Sequence, residues 1–169
     1  PDLARQVVIR AASLGNTLRL FATGRQVEYA YVPDPEEVAA ATRTIAERER
    51  ETIFCLARAA EYRDPETGGH IMRMAHYSRL IASRLGLPEE EQQLIFEAAP
   101  MHDVGKVGTR DEILLKPGRL TTDEFAIMKQ HASIGHDILG DSSSPILRTA
   151  AIIAGTHHET YDGSGYPNG

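Results

Sequence analysis

The stretch Met101-His102-Asp103-Val104-Gly105-Lys106 places an imidazole, a carboxylate and an amine side by side. Further imidazoles lie outside it: His70 before, His131 after, and the pair His157-His158 near the end, with Glu66 four residues ahead of His70. Imidazole and carboxylate together suit iron, manganese, zinc or a similar divalent ion. A carboxylate bridge allows two ions to sit about 3.5–4 Å apart, and Asp103 is the natural bridge. Neighbouring residues on a helix diverge by about 100°, so His157 and His158 need not share one ion, which favours more than one. Such a site makes a nucleophile by lowering the pKa of water toward ~7 and clamps phosphate oxygens during in-line displacement. Lys106, four residues after His102, adds positive charge for a phosphate oxygen or the leaving oxygen. The chemistry is that of a phosphate-ester hydrolase. Taken singly each histidine has a blander reading, hydrogen-bonded or exposed, and His76 and His136 keep it because neither has a carboxylate neighbour that would complete a site, although Asp137 adjoins His136.

These residues need helices to aim them into one interior, as helix bundles with carboxylate-bridged metals do. Apolar spacing predicts a short helix over Leu3 to Leu14, then a small hairpin around Thr23-Gly24. Val32-Pro33-Asp34-Pro35 is a boundary, because two prolines restrict themselves and their predecessors. A long helix follows from Glu36 to about Tyr62; its charged part, Arg43 to Glu51, reads as a solvated face or as part of a dimer-forming helix. Asp64 to Gly69 breaks it. Further helices are predicted from His70 to Leu85, stopped by Gly86, and from Glu89 to the His102-Asp103 pair. Another is capped by Thr121 or Thr122 and continues to Gly140 with a break near Ser133 to Gly135. A last one opens at Ser144-Pro145 and delivers His157 and His158. The expected fold class is all-α.

The chain has 169 residues, enough for one full core, with 41% apolar and 25% charged residues. Its net charge of −6 argues against binding a nucleic-acid polymer, which requires a surplus of Lys and Arg. The single cysteine, Cys55, excludes an internal disulfide, favours a reducing compartment, and is expected to be a small core residue. No apolar run approaches the ~18 residues of a membrane span, and a cytoplasmic location is expected.

The ordered combination Glu61-Tyr62-Arg63-Asp64-Pro65-Glu66-Thr67-Gly68-Gly69-His70, then His102 to Lys106, then Met128-Lys129-Gln130-His131, then His157-His158-Glu159 with Asp162 to Pro167, resembles the HD-GYP family over about Thr52 to Gly169. A plain HD-domain hydrolase shares the His-Asp pair but not the Gly-Tyr-Pro loop. The resemblance implies a helical HD fold with two or three divalent ions, iron or manganese, and cleavage of the bacterial messenger cyclic di-GMP to pGpG or GMP. It carries a metal-ligand role to Glu66, His70, His102, Asp103, His131, His157 and His158, with Glu66 the ligand of trinuclear members. It carries a substrate-phosphate role to Lys106, and the shaping of the substrate side and contact with protein partners to Gly165, Tyr166 and Pro167. The family does not use His76 or His136. It also places a further metal-binding aspartate about thirty residues beyond the double histidine, so the expected domain plan is an appendage over 1–35, a connecting helix over 36–51, and an HD-GYP domain over 52–169 truncated at its C-terminus. A regulatory sensor or receiver domain, a diguanylate cyclase (GGDEF) domain and a second copy in a homodimer are the partners expected by analogy. The rival readings are a catalytically impaired cyclic-dinucleotide-binding module and an HD phosphohydrolase acting on another nucleotide.

Overall fold

The computed structural model describes residues 34–63 and 69–169 and, as backbone only, the strands β1 (Thr17–Ala22) and β2 (Arg25–Ala30). The helix expected over Leu3 to Leu14, and Glu66 with its loop, lie outside these residues. The chain divides into two compact units, Pro1–Glu47 and Arg48–Gly169. In the first, β1 and β2 pair antiparallel with Leu20 opposite Val27, which is the hairpin the alternating pattern predicts.

The remainder is helical, in an all-α arrangement: α1 (Pro35–Glu61), α2 (His70–Arg84), α3 (Glu89–Ala98), α4 (Asp111–Leu114), α5 (Thr122–Met128), α6 (Gln130–Leu139) and α7 (Pro145–Thr156). Asp34 opens α1 by accepting from the Glu36 amide, and Glu36 and Glu37 complement the helix dipole. Gly86 ends the α2 segment at φ +78°, a left-handed conformation that glycine adopts without a Cβ penalty. Thr121 caps α5 in a capping box with Glu124. Ser144 caps α7, and its hydroxyl also donates to Glu49 of α1.

Three expectations need correction. Cys55 is exposed: the buried face of α1 is Ile53 and Ala57, four residues apart, and a residue midway between them points away. The break expected near Ser133 to Gly135 lies instead at Lys129, between α5 and α6. Gly135 is a close-approach glycine, where a Cβ would stand 3.0 Å from Ala154 and 3.3 Å from the Gly105 nitrogen. Finally, α3 stops at Ala98 rather than reaching His102. Pro100 removes a backbone donor, and the chain tightens into the 3₁₀ turn Ala99–Met101, followed by a second, Val104–Gly108.

The core joins Ile53 and Ala57 of α1 and Ile71 of α2 to Ala98, Met101 and Val104, and to Ile146, Ala150 and Ala154 of α7. Small residues at these contacts bring helix backbones close together. Gly105 takes this furthest, since a Cβ there would fall 1.9 Å from the His131 carbonyl oxygen and 2.5 Å from the Gly135 nitrogen. The second 3₁₀ turn therefore lies directly on α6, which places Asp103 against His131.

Candidate metal centre

Each of three histidines sits where a helical turn begins or ends, and each makes the same local bond. Nδ1 of His102 meets the Ala99 carbonyl at 3.1 Å, that of His131 the Met128 carbonyl at 2.7 Å, and that of His157 the Ala154 carbonyl at 2.9 Å. A carbonyl only accepts, so each Nδ1 carries a proton and each Nε2 turns a lone pair, or an extra proton, toward the interior. There they meet Asp103. Its Oδ2 lies 3.1 Å from Nε2 of His102 and 3.0 Å from Nζ of Lys106, and its Oδ1 lies 3.3 Å from Nε2 of His131 and 3.5 Å from Nε2 of His157. One carboxylate thus turns each oxygen to a different set of partners.

The second set is in conflict with itself. Nε2 of His131 and of His157 stand 3.2 Å apart, and the buried Oδ1 of Asp103 has contacts but no hydrogen bond of proper geometry. Lone pairs facing each other and a carboxylate oxygen require a proton or a cation between them. Burial alone would raise the Asp103 carboxyl, but the rings of His102, His131 and His157 outweigh it and hold the group ionised, far below the usual carboxylate range. The donor set fits a divalent ion: one ligand atom each from Asp103, His131, His157 and His158 lie within 4.8 Å of one another.

His158 approaches from the end of α7. Burial pushes its imidazole down to about 4, with His157 and His131 adding to the effect, so it is neutral and ligand-ready at physiological pH. Its ring stacks on Tyr166, centroids 4.4 Å apart and planes inclined by 23°. Gly165 permits this approach, because a Cβ there would lie 2.5 Å from the His158 oxygen and the Thr160 nitrogen. The Tyr166-Pro167 peptide is cis, and the Tyr166 amide donates to the His158 carbonyl. Asp162 ties the loop by accepting from Thr160 and from the hydroxyl and amide of Ser164, which hold its carboxyl down at about 2.

Of the residues singled out in sequence, the structure gathers His102, Asp103, Lys106, His131, His157, His158 and Tyr166 around one point. His70 stands beside them at the start of α2, its ring centroid 5.9 Å from that of His102. His76 packs on Phe96 and His136 is exposed beside Asp137, both apart from the centre.

The HD domain family matches residues 54–169. The chain belongs to this family. An HD domain is a divalent-metal-binding fold, consistent with the HD-GYP motifs and with the acceptor cluster at Asp103. Among similar proteins, the cyclic di-GMP phosphodiesterase response regulator RpfG of Xanthomonas campestris is 45% identical over 158 residues, covering 94% of this chain and 42% of the relative. A cyclic di-GMP phosphodiesterase of Thermotoga maritima is 53% identical over 119 residues, 70% of this chain and 32% of the relative. A 3'3'-cGAMP-specific phosphodiesterase of Vibrio cholerae is 47% identical over 124 residues, 73% of this chain and 24% of the relative. The chain therefore spans less than half the length of these relatives.

Three residues of the HD domain's surroundings escaped the sequence reading although they lie inside the motif stretches. Glu61 shares a crevice with His102, Asp103 and Lys106. Arg63 holds the second 3₁₀ turn, and the Lys129 ammonium lies over both the Phe125 and Tyr166 rings. Their position just before a predicted ligand was the available signal.

Proposed function

We propose that this HD domain is the catalytic part of a metal-dependent phosphodiesterase that opens cyclic di-GMP to pGpG or GMP. The observation that carries the reading is Asp103, with one oxygen buried among imidazoles and without a hydrogen-bond donor, and the other oxygen beside Lys106. Asp103 would be the bridging ligand, with His131, His157 and His158 on one side and His102 on the other. His70 and Glu66 would complete a centre of two or three ions, iron or manganese. Bound ions supply Lewis acidity for water and for the phosphate oxygens. The chain's own groups do the rest. Lys106 offers an ammonium to the scissile phosphate where negative charge grows, and Gly165, Tyr166 and Pro167 wall the substrate side beside His158. The relatives named as cyclic di-GMP phosphodiesterases support the substrate assignment.

A second substrate is favoured by a specific finding, the similarity to 3'3'-cGAMP-specific phosphodiesterases. A product screen with cyclic di-GMP, 3'3'-cGAMP and nucleoside phosphates, on anaerobic, iron- or manganese-loaded protein, tests both. The expected result is preferential release of pGpG or GMP. Preferential cGAMP cleavage reassigns the substrate, and binding without turnover of any of them overturns the enzyme reading. The match to a response regulator extends over 94% of this chain, into the segment before Pro35. That supports 1–35 as the tail of a regulatory receiver or sensor, 36–51 as a connecting helix, and 52–169 as the HD-GYP domain.

A further inference from the structure

We infer that Arg63 is the positioning residue for Lys106, locking the 3₁₀ turn Val104–Gly108 so that the ammonium stays on the centre. The inference rests on the reading above, in which Lys106 meets the substrate phosphate. Arg63 follows α1 and reaches the turn from outside it. Nη1 donates to the Val107 carbonyl at 2.7 Å and more weakly to that of Lys106 itself at 3.4 Å. Nη2 donates to the Thr109 carbonyl at 3.0 Å and to Asp111 Oδ1 at 2.6 Å.

The last carbonyls of a helical turn lack partners within it, and here one guanidinium supplies them for the Val107 and Thr109 oxygens and adds a weaker second donor to that of Lys106. The Lys106 backbone is then fixed from both sides: its amide donates to the Asp103 carbonyl at 3.0 Å, and its carbonyl accepts from Thr109 at 3.0 Å and from Arg63. Only a planar fork spans these oxygens at once; a lysine ammonium is a compact point donor on a flexible stem. Asp111 accepts from the same Nη2 that donates to Thr109 and joins the start of α4 to the clamp. The Arg63 bonds fall on Lys106, Val107 and Thr109, the far end of the turn, while Gly105 seats its start on α6, so the clamp acts on Lys106 rather than on the imidazoles.

The test is a double-mutant cycle in the full-length protein: Arg63→Lys and Arg63→Gln, each alone and combined with Lys106→Ala. Bound metal per chain, thermal midpoint, affinity for inorganic phosphate, and kcat and KM are measured for all of them. Misplacing a catalytic group by ~1 Å costs up to about 100-fold in rate, so both single variants are expected to lose about 10-fold or more in kcat with metal content unchanged. Arg63→Lys is expected not to rescue. In the Lys106→Ala background the Arg63 substitutions are expected to cost nothing further, because residues that act through one another are non-additive. Losses that multiply in that background, loss of metal, or full rescue by lysine would overturn the inference. If the wild-type protein leaves cyclic di-GMP intact, the proposed function falls by itself, and the same cycle is read on bis(p-nitrophenyl) phosphate and on phosphate affinity.

Discussion

Asp103 works through two oxygens with different neighbours, and substitutions there and at Lys106 should separate metal binding from phosphate handling. Asp103→Ala removes the carboxylate on which His131, His157 and His102 converge, so bound metal and rate are expected to fall together; metal analysis that finds a full complement contradicts the bridging role. Lys106→Ala leaves those imidazoles in place and is expected to keep its metal while losing about 100-fold in kcat, the scale of one charge-stabilising donor. His158 gives a pH signature in the metal-free protein. Its folded-state pKa, pushed to about 4 by burial and by its histidine neighbours, lies below the ordinary 6.5. The unfolded chain then binds the proton first as pH falls. This residue's contribution is complete above pH 6.5 and is lost progressively toward pH 4. Asp103, also depressed, acts in a separate window, keeping its contribution until the pH falls below the unfolded carboxyl's 3.8. Denaturant titrations of metal-free His158→Gln are expected to show a weaker fall in stability between pH 6.5 and 4 than the wild type. An unchanged slope contradicts that assignment.

Elements bring these residues together chiefly through glycine and the ends of helical turns. Gly105→Ala would set a methyl against the His131 carbonyl, so the second 3₁₀ turn must lift off α6. A loss of about 3 kcal/mol is expected in urea unfolding, together with weaker metal binding. Thr121→Ala removes the capping box of α5, whose groups are not among the ligand candidates, and is expected to cost about 1 kcal/mol with metal content unchanged. The same contrast explains what the sequence made legible. Helices marked by strong local signals were readable: Pro35 with its acidic first turn, Gly86, Thr121 with Glu124, Ser144-Pro145. So was the convergence of His102, Asp103, His131, His157 and His158, because His and Asp in ordered motifs have few other joint explanations. The break at Lys129 was not, since Gly135 looks like a helix breaker until Gly105 and Ala154 are seen pressed against it. The exposure of Cys55 depends on which stripe of α1 meets the core. Arg63 carried no reading of its own within its motif, because its partners are backbone carbonyls more than forty residues away.

At the scale of the molecule, an acidic chain of net charge −6 sets two lysines locally, Lys106 at Asp103 and Lys129 at Tyr166. That suits a small phosphorylated ligand better than a long polyanion. No helix among the described residues is long and apolar enough to cross a membrane. Metal that binds the folded centre and not the unfolded chain stabilises by mass action, about 2.7 kcal/mol at a hundredfold excess over Kd. Manganese or ferrous iron is therefore expected to raise the melting temperature of the wild type and to leave Asp103→Ala unmoved; equal shifts in both would place the ion elsewhere. The most direct measurement is turnover of cyclic di-GMP by anaerobic protein titrated with iron or manganese, with bound metal and released pGpG or GMP quantified in the same samples. The account predicts product release that rises with metal bound at the centre and disappears with a chelator. A fully metal-loaded protein that binds cyclic di-GMP and releases no product would contradict it.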